Sequence, residues 1–285
     1  MRKLLAALTS LVLLLTVVFS VTAASFVVAP AMAADSVSTA DIPLDPFAGI
    51  DSLPSNPMSE EAFHTVFLYA AKNKLTSVTI SYSFSYQKSH GDNIAAFLKE
   101  SLCEFSYRYP EYFNYLRHVS FNVLPDNCGF SIVLKFASKG GDTEAMLARR
   151  DAADARAREV YNSLPLTDEM TEKQRARVIL DWVCENVSYE DDGTLLCHTA
   201  YGALENGVAV CDGYSALYQT LLRLDGIRCW GQKGVAGFSY QSHHWTVAVL
   251  DGQVVNIDAA WSDTEDCGDR FFAVSDTAFS LSHSW

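Results

Sequence analysis

The chain has 285 residues, a formal charge of −13, 49% hydrophobic and 19% charged residues, and seven cysteines. That length accommodates one large domain or two ordinary ones, and the apolar share is enough for a sizeable core, which excludes a wholly disordered chain. The acidic balance argues against nucleic acid or anionic lipid as the main partner, because both need a cationic footprint.

Residues 1–33 read as a secretory signal peptide: Arg2 and Lys3 start it, an apolar run follows from Leu4, and Ala31-Met32-Ala33 supplies the small-x-small cleavage pattern. The competing reading is an uncleaved anchor, since the run could span a bilayer. Ser and Thr interrupt the run and it leads into a cleavage site, which favours removal. The expected product is secreted or held in the cell envelope, touching a membrane only through this segment if it stays uncleaved. Export puts Cys103, Cys128, Cys184, Cys197, Cys211, Cys229 and Cys267 where disulfides can form, and an odd count leaves at least one thiol over. The alternative is that several are buried free cysteines packing as small hydrophobes.

Residues 34–58 are rich in Ser, Pro, Asp and Ala without periodicity and read as a flexible leader. A small α/β unit is expected over 59–165. Ser59 caps a helix with Glu60 and Glu61 in its first turn, and Phe63, Val66, Phe67 and Ala70 form its buried face. Val78, Ile80, Tyr82, Phe84 and Tyr86 alternate as a half-buried strand. A helix follows from about Asp92, with Ile94, Phe97, Leu98, Leu102 and Phe105 on one face. Strands at 119–123 and 130–136 flank the turn residues Pro125 to Gly129 and form a hairpin. A polar, Ala- and Arg-rich helix from Asp142 to about Ser163 joins this unit to a second one over 166–285. There Thr171-Glu172-Lys173-Gln174 is a capping box, and Val178, Ile179, Trp182, Val183 and Val187 are the buried face of its helix.

Three later segments carry chemistry. Leu217, Leu221 and Leu224 give the run after Cys211 helical spacing, and Asp225-Gly226 stops it, so Cys211 sits at a helix N-terminus. Unpaired N–H groups and the macrodipole there favour a thiolate and a developing oxyanion. Ser242 to Leu250 and Val254 to Asp258 are β-rich runs separated by Asp251-Gly252, a two-residue hairpin signal. That loop sets Leu250 opposite Gln253, puts Asp258 opposite Trp245 and diagonal to His243, and turns His244 to the other face. A cysteine nucleophile, a histidine base and an aspartate that fixes the histidine tautomer make an acyl-transfer set. Periodicity does not place the hairpin against the helix.

These segments resemble the transglutaminase-like superfamily, whose fold is related to papain-like cysteine peptidases. Gly207 to Tyr214 resembles its Gly-x-x-Val-Cys-x-Gly-Tyr stretch, His243-His244-Trp245 its His-x-Trp, and Ile257-Asp258 the aspartate ending a strand. Ala259 to Asp263 resembles the continuation, with a closing Phe271-Phe272 strand and a terminal His283-Ser284-Trp285, and residues 59–165 resemble the companion segment of many bacterial members. Thr246 stands where many relatives have Asn, and Ala260 where many have Thr.

The resemblance implies an α+β fold in which an N-terminal helix and the cysteine helix pack on an antiparallel sheet. It also implies Cys211 as nucleophile, His243 as base and Asp258 as its partner. Trp245, Tyr214 and Tyr201 are the candidate substrate-binding residues, each with packing as the alternative. His198 beside Cys197 hints at a metal but lacks a second ligand pair of zinc spacing, and Glu190 to Gly193 lacks calcium-loop spacing, so no metal and no cofactor is expected. Asp263 reads as a turn residue or a support for the site. The expected activity is acyl transfer from protein or peptide carboxamides, with cell-surface proteins among the candidate substrates. The alternatives are a peptidase or amidase with the same triad, or a non-catalytic surface-binding module. With Cys211 reserved for chemistry, Cys103–Cys128, Cys184–Cys197 and Cys229–Cys267 is one of 15 pairings open to the other six.

Overall fold

The computed structural model describes residues 16–20, 45–85, 87–109, 118–125, 129–137, 143–237, 241–264 and 268–285. The first unit is built on a four-stranded antiparallel sheet from β1 (Thr16–Ser20), β2 (Ser77–Tyr82), β3 (His118–Pro125) and β4 (Phe130–Ala137), in the order β1-β3-β4-β2. β2 buries Val78, Ile80 and Tyr82 and exposes the residues between them, so its alternation selects one inward face. That face shares a core with α1 (Glu60–Lys72) and α2 (Lys88–Arg108), in which Phe63, Phe67, Phe105, Phe121 and Phe130 have no exposed surface. The expected alternation to Tyr86 stops at Tyr82; Phe84 lies in a bend, and Tyr86 is outside the described residues.

One expectation for the N-terminal region changes. Residues 45–58 are no flexible leader: Phe47, Ile50, Leu53 and Met58 pack on the first core, and the Tyr82 hydroxyl donates to the Pro57 carbonyl at 2.9 Å. Thr16–Ser20, inside the expected signal segment, pairs with β3 from Thr16↔Asn122 to Ser20↔His118. An apolar run beside an open sheet edge satisfies its backbone by pairing. The rest of residues 1–44 lies outside those described.

α3 (Thr143–Ser163) is the joint between units. Met146 belongs to the first core, whereas Ala157 and Val160 belong to the second. The second unit continues through α4 (Glu172–Asn186), β5 (Ser188–Tyr189), α5 (Ala200–Asn206), β6 (Val208–Ala209), α6 (Cys211–Leu224), β7 (Cys229–Ala236), β8 (Gln241–Leu250), β9 (Gln253–Ile257), α7 (Ala259–Ser262), α8 (Asp276–Phe279) and β10 (His283–Ser284). Its main sheet is antiparallel, in the order β10-β7-β8-β9. Helices α4 and α6 share one core with it, as expected for an α+β domain.

Local chemistry fixes these elements. The Thr171 hydroxyl accepts from Gln174 N–H at 3.2 Å, and the Gln174 side chain accepts from Thr171 N–H at 2.9 Å, so the expected capping box starts α4. Asp251 and Gly252 both have positive φ, 51° and 80°, matching a type I′ hairpin turn. The β8–β9 register runs from Leu250↔Gln253 to Thr246↔Ile257, as the loop length dictates. Phe271-Phe272 is not a strand: Gly268–Phe271 is a 3₁₀ turn, and the bridge to Asn256 comes from Val274. The strand that closes this sheet is β10, paired with β7 through His283↔Ala236.

The cysteine expectation also changes. Cys103, Cys184, Cys197, Cys211 and Cys229 are free thiols, so Cys184 and Cys197 are not joined. Cys184 faces the Ala259 carbonyl, whereas Cys197 donates to that of Thr194 at 3.2 Å. Cys128 and Cys267 lie outside the described residues.

Candidate active site

Cys211 is the first residue of α6, and Val210 before it is extended. The two-residue parallel pair β5–β6 delivers the chain to this point, Ser188↔Val208 and Tyr189↔Ala209. Gly213 is required two residues on: a Cβ there would stand 2.3 Å from the Cys197 carbonyl oxygen and 2.9 Å from Ala209 Cβ. The close approach lets the first turn of α6 nest against the segment before it, leaving Cys211 half-buried at the helix start.

His243 lies on β8, and Asp258 is the residue after β9 and the N-cap of α7. Asp258 Oδ2 is 2.7 Å from His243 Nε2, and its Oδ1 accepts the Trp261 backbone N–H at 3.1 Å. Asp258 is fully buried and His243 is 6% exposed, so this bond is shielded from water. Burial, the largest single influence on His243, would lower its pKa, but the hydrogen bond and charge of Asp258, then those of Cys211, push it up to about 10. Burial likewise works against the Asp258 carboxylate, and the hydrogen bonds and charge of the histidines outweigh it and hold the group below the usual range. With Nε2 on Asp258, Nδ1 is the nitrogen left for the Cys211 thiol. The structure therefore brings Cys211, His243 and Asp258 together.

A second histidine reaches the same carboxylate: His283 Nε2 is 3.1 Å from Asp258 Oδ2, and its Nδ1 is 2.9 Å from the Ser282 hydroxyl. Tyr189 is also part of the site. The Cys211 backbone hydrogen-bonds its hydroxyl, and loss of solvent followed by the charges of Cys211, Asp212 and Asp258 push that phenol up to about 12. His283 had only its place at the end of the family pattern, and Tyr189 ends a helix-to-turn passage without periodicity, so neither stands out as a site residue in sequence.

The three candidate substrate-binding residues lie in different surroundings. Trp245 and Tyr214 have no exposed surface and pack in the interior. Trp245 Nε1 donates to Asn256 Oδ1 at 3.0 Å, and the Tyr214 hydroxyl lies within hydrogen-bond reach of two acceptors, Val187 O at 2.7 Å and Asp263 Oδ2 at 2.5 Å. Asp263 thus anchors the base of α6, and burial raises its pKa. Tyr201 lines a separate small pocket with Met146, Arg150 and Thr220, against α3. A cleft of about 510 Å³, lined by His283, Trp261, Phe271, Arg270 and Leu281 among others, reaches the site through His283 and not through Cys211, His243 or Asp258.

On the other side of Cys211, Asp212 lies 2.9 Å from His198 Nδ1. Burial raises the Asp212 pKa, but that hydrogen bond and the charges of His244 and His198 bring it below the ordinary value. His244 faces away from Asp258, and burial lowers its pKa to about 4. Asp191, Cys197 and His198 place three metal-capable atoms within 4.8 Å of one another, as do His243, Asp258 and His283, which are joined by hydrogen bonds.

Residues 159–259 match the transglutaminase-like superfamily. The chain is similar to the kyphoscoliosis peptidases of Homo sapiens, 26% identical over 110 residues, and Mus musculus, 24% identical over 110 residues. Each alignment covers 34% of this chain, and the chain spans 17% of the length of either curated relative. Among solved structures, a TGase is 12% identical with a TM-score of 0.38, covering 71% of this chain and 55% of that one. A candidate cysteine protease from Cytophaga hutchinsonii is 17% identical with a TM-score of 0.33, covering 50% and 62%. Cys211, His243 and Asp258 fall inside the matched segment and His283 outside it, and residues 159–259 form a domain of the transglutaminase-like superfamily.

Proposed function

We propose that this protein is an exported cysteine acyltransferase that acts on protein or peptide carboxamides through Cys211, His243 and Asp258. The observation that carries the reading is the buried 2.7 Å bond between His243 Nε2 and Asp258, which fixes the histidine so that Nδ1 serves a cysteine at a helix N-terminus. His243 takes the Cys211 proton, and the thiolate attacks the carbonyl carbon. N–H groups at the start of α6 stabilise the oxyanion. His243 then gives its proton to the departing ammonia or amine, leaving a thioester. A lysine amine attacks the thioester, His243 accepts its proton, and the thiol is restored with a new amide formed. No organic cofactor enters this sequence. The apolar and aromatic walls of the cleft beside His283 suit a peptide side chain.

The peptidase name of the curated relatives supports a second reading, in which water replaces the amine. Export rests on the charged start, apolar run and cleavage pattern of residues 1–33.

The test is incorporation of a labelled primary amine into a glutamine-containing protein, run beside peptide hydrolysis, with Cys211→Ala and His243→Ala as controls. Incorporation lost in both variants supports transfer, and amine-independent cleavage lost in both supports hydrolysis. A wild-type protein without either activity under reducing conditions sinks both readings in favour of a surface-binding module.

A further inference from the structure

His283 is placed with more care than a filler residue needs. It is 2% exposed, stacks on Phe279 at 3.8 Å between ring centroids, and meets Trp261 at 4.7 Å and Trp245 at 5.2 Å. Its strand comes close to β7 because residue 234 is glycine: a Cβ there would lie 2.2 Å from the Ser284 carbonyl oxygen and 2.6 Å from the Trp245 ring. Gly234 is also the register partner of His243. The same close packing therefore seats both histidines around Asp258.

Proton bookkeeping gives His283 its role. Ionised Asp258 only accepts, so the nitrogen that each histidine turns to it carries a proton. For neutral His283 that makes Nε2 the donor and Nδ1 the acceptor of the Ser282 hydroxyl, 2.9 Å away. Both Nε2 groups address one oxygen, Oδ2, at 2.7 Å from His243 and 3.1 Å from His283, while Oδ1 is held by the Trp261 N–H. An oxygen shared between two donors gives less to each.

We propose that His283, set in its tautomer by Asp258, is a positioning residue that shares Asp258 Oδ2 with His243 and so limits how tightly the carboxylate holds the His243 imidazolium. The purpose is reversible proton transfer. A histidine locked as imidazolium by an unshared buried carboxylate would return its proton to the leaving group poorly and would be a weak base toward the incoming amine. The titratable and charged neighbours are Asp258, Cys211 and His244 around His243, Tyr189 and Asp212 beside Cys211, and Arg270 across the cleft from His283.

The role rests on Cys211 and His243 being the reactive pair, so the test reads that pair directly rather than turnover. Alkylation of Cys211 by iodoacetamide is followed across pH in the full chain, with the Cys211 peptide quantified by mass spectrometry. The alkaline rise in rate, as the imidazolium deprotonates and frees the thiolate, reports His243. His283→Phe keeps a ring in the aromatic stack without a donor, and the alkaline step is expected to move up by about half a pH unit or more. His283→Gln, which restores an N–H donor, returns the step toward wild type. A step that stays or falls in His283→Phe overturns the proposal. If that variant does not fold, His283→Leu, which also removes the donor to Asp258, carries the same decision: an upward move supports the role, and none overturns it. A shifted step in a protein that neither transfers nor hydrolyses would sink the proposed function alone, and turnover with an unmoved step would sink this role alone.

Discussion

Around β2, β3 and β4 the side chains without exposure are mostly aromatic or aliphatic, Phe63, Phe67, Ile94, Phe105, Phe121 and Phe130 among them, with Ser101 and Ser106 the buried polar residues described there. Around β8 and β9 the interior instead holds His243, Asp258, His283, Asn256, Thr246, Ser215 and Gln219. Both units fold around a sheet and helices, but the second encloses groups that are costly to desolvate. Each has partners: Asp258 has two histidines and a backbone N–H, and Asn256 has Trp245 and Asp276. The first core gains its stability from apolar burial, and the second gives up part of that gain to hold a preorganised proton path.

The contrast is sharpest for substitutions that remove chemistry or packing alone. Cys211→Ala is expected to lower amine incorporation or hydrolysis by about 10³-fold or more while leaving the circular dichroism spectrum unchanged. Asp258→Asn replaces the shared acceptor with a group that also carries donors, and kcat/KM should fall by about 10²-fold or more through loss of the tautomer. Full activity in either variant would remove the second core's claim to a functional role. In the first core, Phe121→Ala should cost about 3–5 kcal/mol in denaturant unfolding. The fraction that stays folded should turn over within about twofold of wild type, since Phe121 touches none of the proton path. A large kcat loss in folded Phe121→Ala protein would mean that the two cores are not separate in function.

The same difference explains what could be read without coordinates. The first core was legible because each element shows one period: Phe63, Val66, Phe67 and Ala70 at helical spacing, Val78, Ile80 and Tyr82 at strand spacing. Asp251-Gly252 set the β8–β9 register and so distinguished His243 from His244. β7 went unseen because Gly231, Gln232, Lys233 and Gly234 interrupt any alternation, and its burial follows no two-residue period. α5, β5 and β6 are too short to show one. His283 reaches Asp258 only through the pairing of β10 with β7, a long-range event to which no local pattern points. Trp245 and Tyr214 flank the motif, which left substrate contact and packing both open, and strand alternation and the helix repeat turn them inward.

Acid should separate the cores next. The Asp258 pKa is depressed below 3.8, so its contribution to stability is present above that value and lost as pH falls through the lower folded value. His243 is raised from 6.5 to about 10, so its contribution is complete below 6.5 and lost as pH rises toward 10. His244, lowered from 6.5 to about 4, stays neutral when its unfolded counterpart takes a proton, which costs stability as pH falls between those values. Denaturant midpoints across pH should therefore fall on both sides for the unit that holds the triad. Hydrogen exchange should lose protection at β8 and β9 before β3 and β4 as the solution is acidified. Equal loss in both sheets would mean that the charged interior does not set the pH response.

The smallest effects address whether the two cores unfold together. Each unit has a helix started by one hydroxyl: Ser59 accepts from Ala62 N–H at 3.2 Å in α1, and Thr171 accepts from Gln174 N–H at 3.2 Å in α4. Replacing either with Ala removes a bond of the same kind and should cost about 1 kcal/mol. If α3, with Met146 in one core and Ala157 and Val160 in the other, couples the units tightly, both substitutions lower a single calorimetric transition by similar amounts. If the joint is loose, Ser59→Ala shifts a first-unit transition and Thr171→Ala a second, and the alkylation rate of Cys211 follows only the latter. A loose joint would leave the triad to the second unit alone, with the first as a separately stable attachment. A tight joint would make the apolar core part of what stabilises the buried charges.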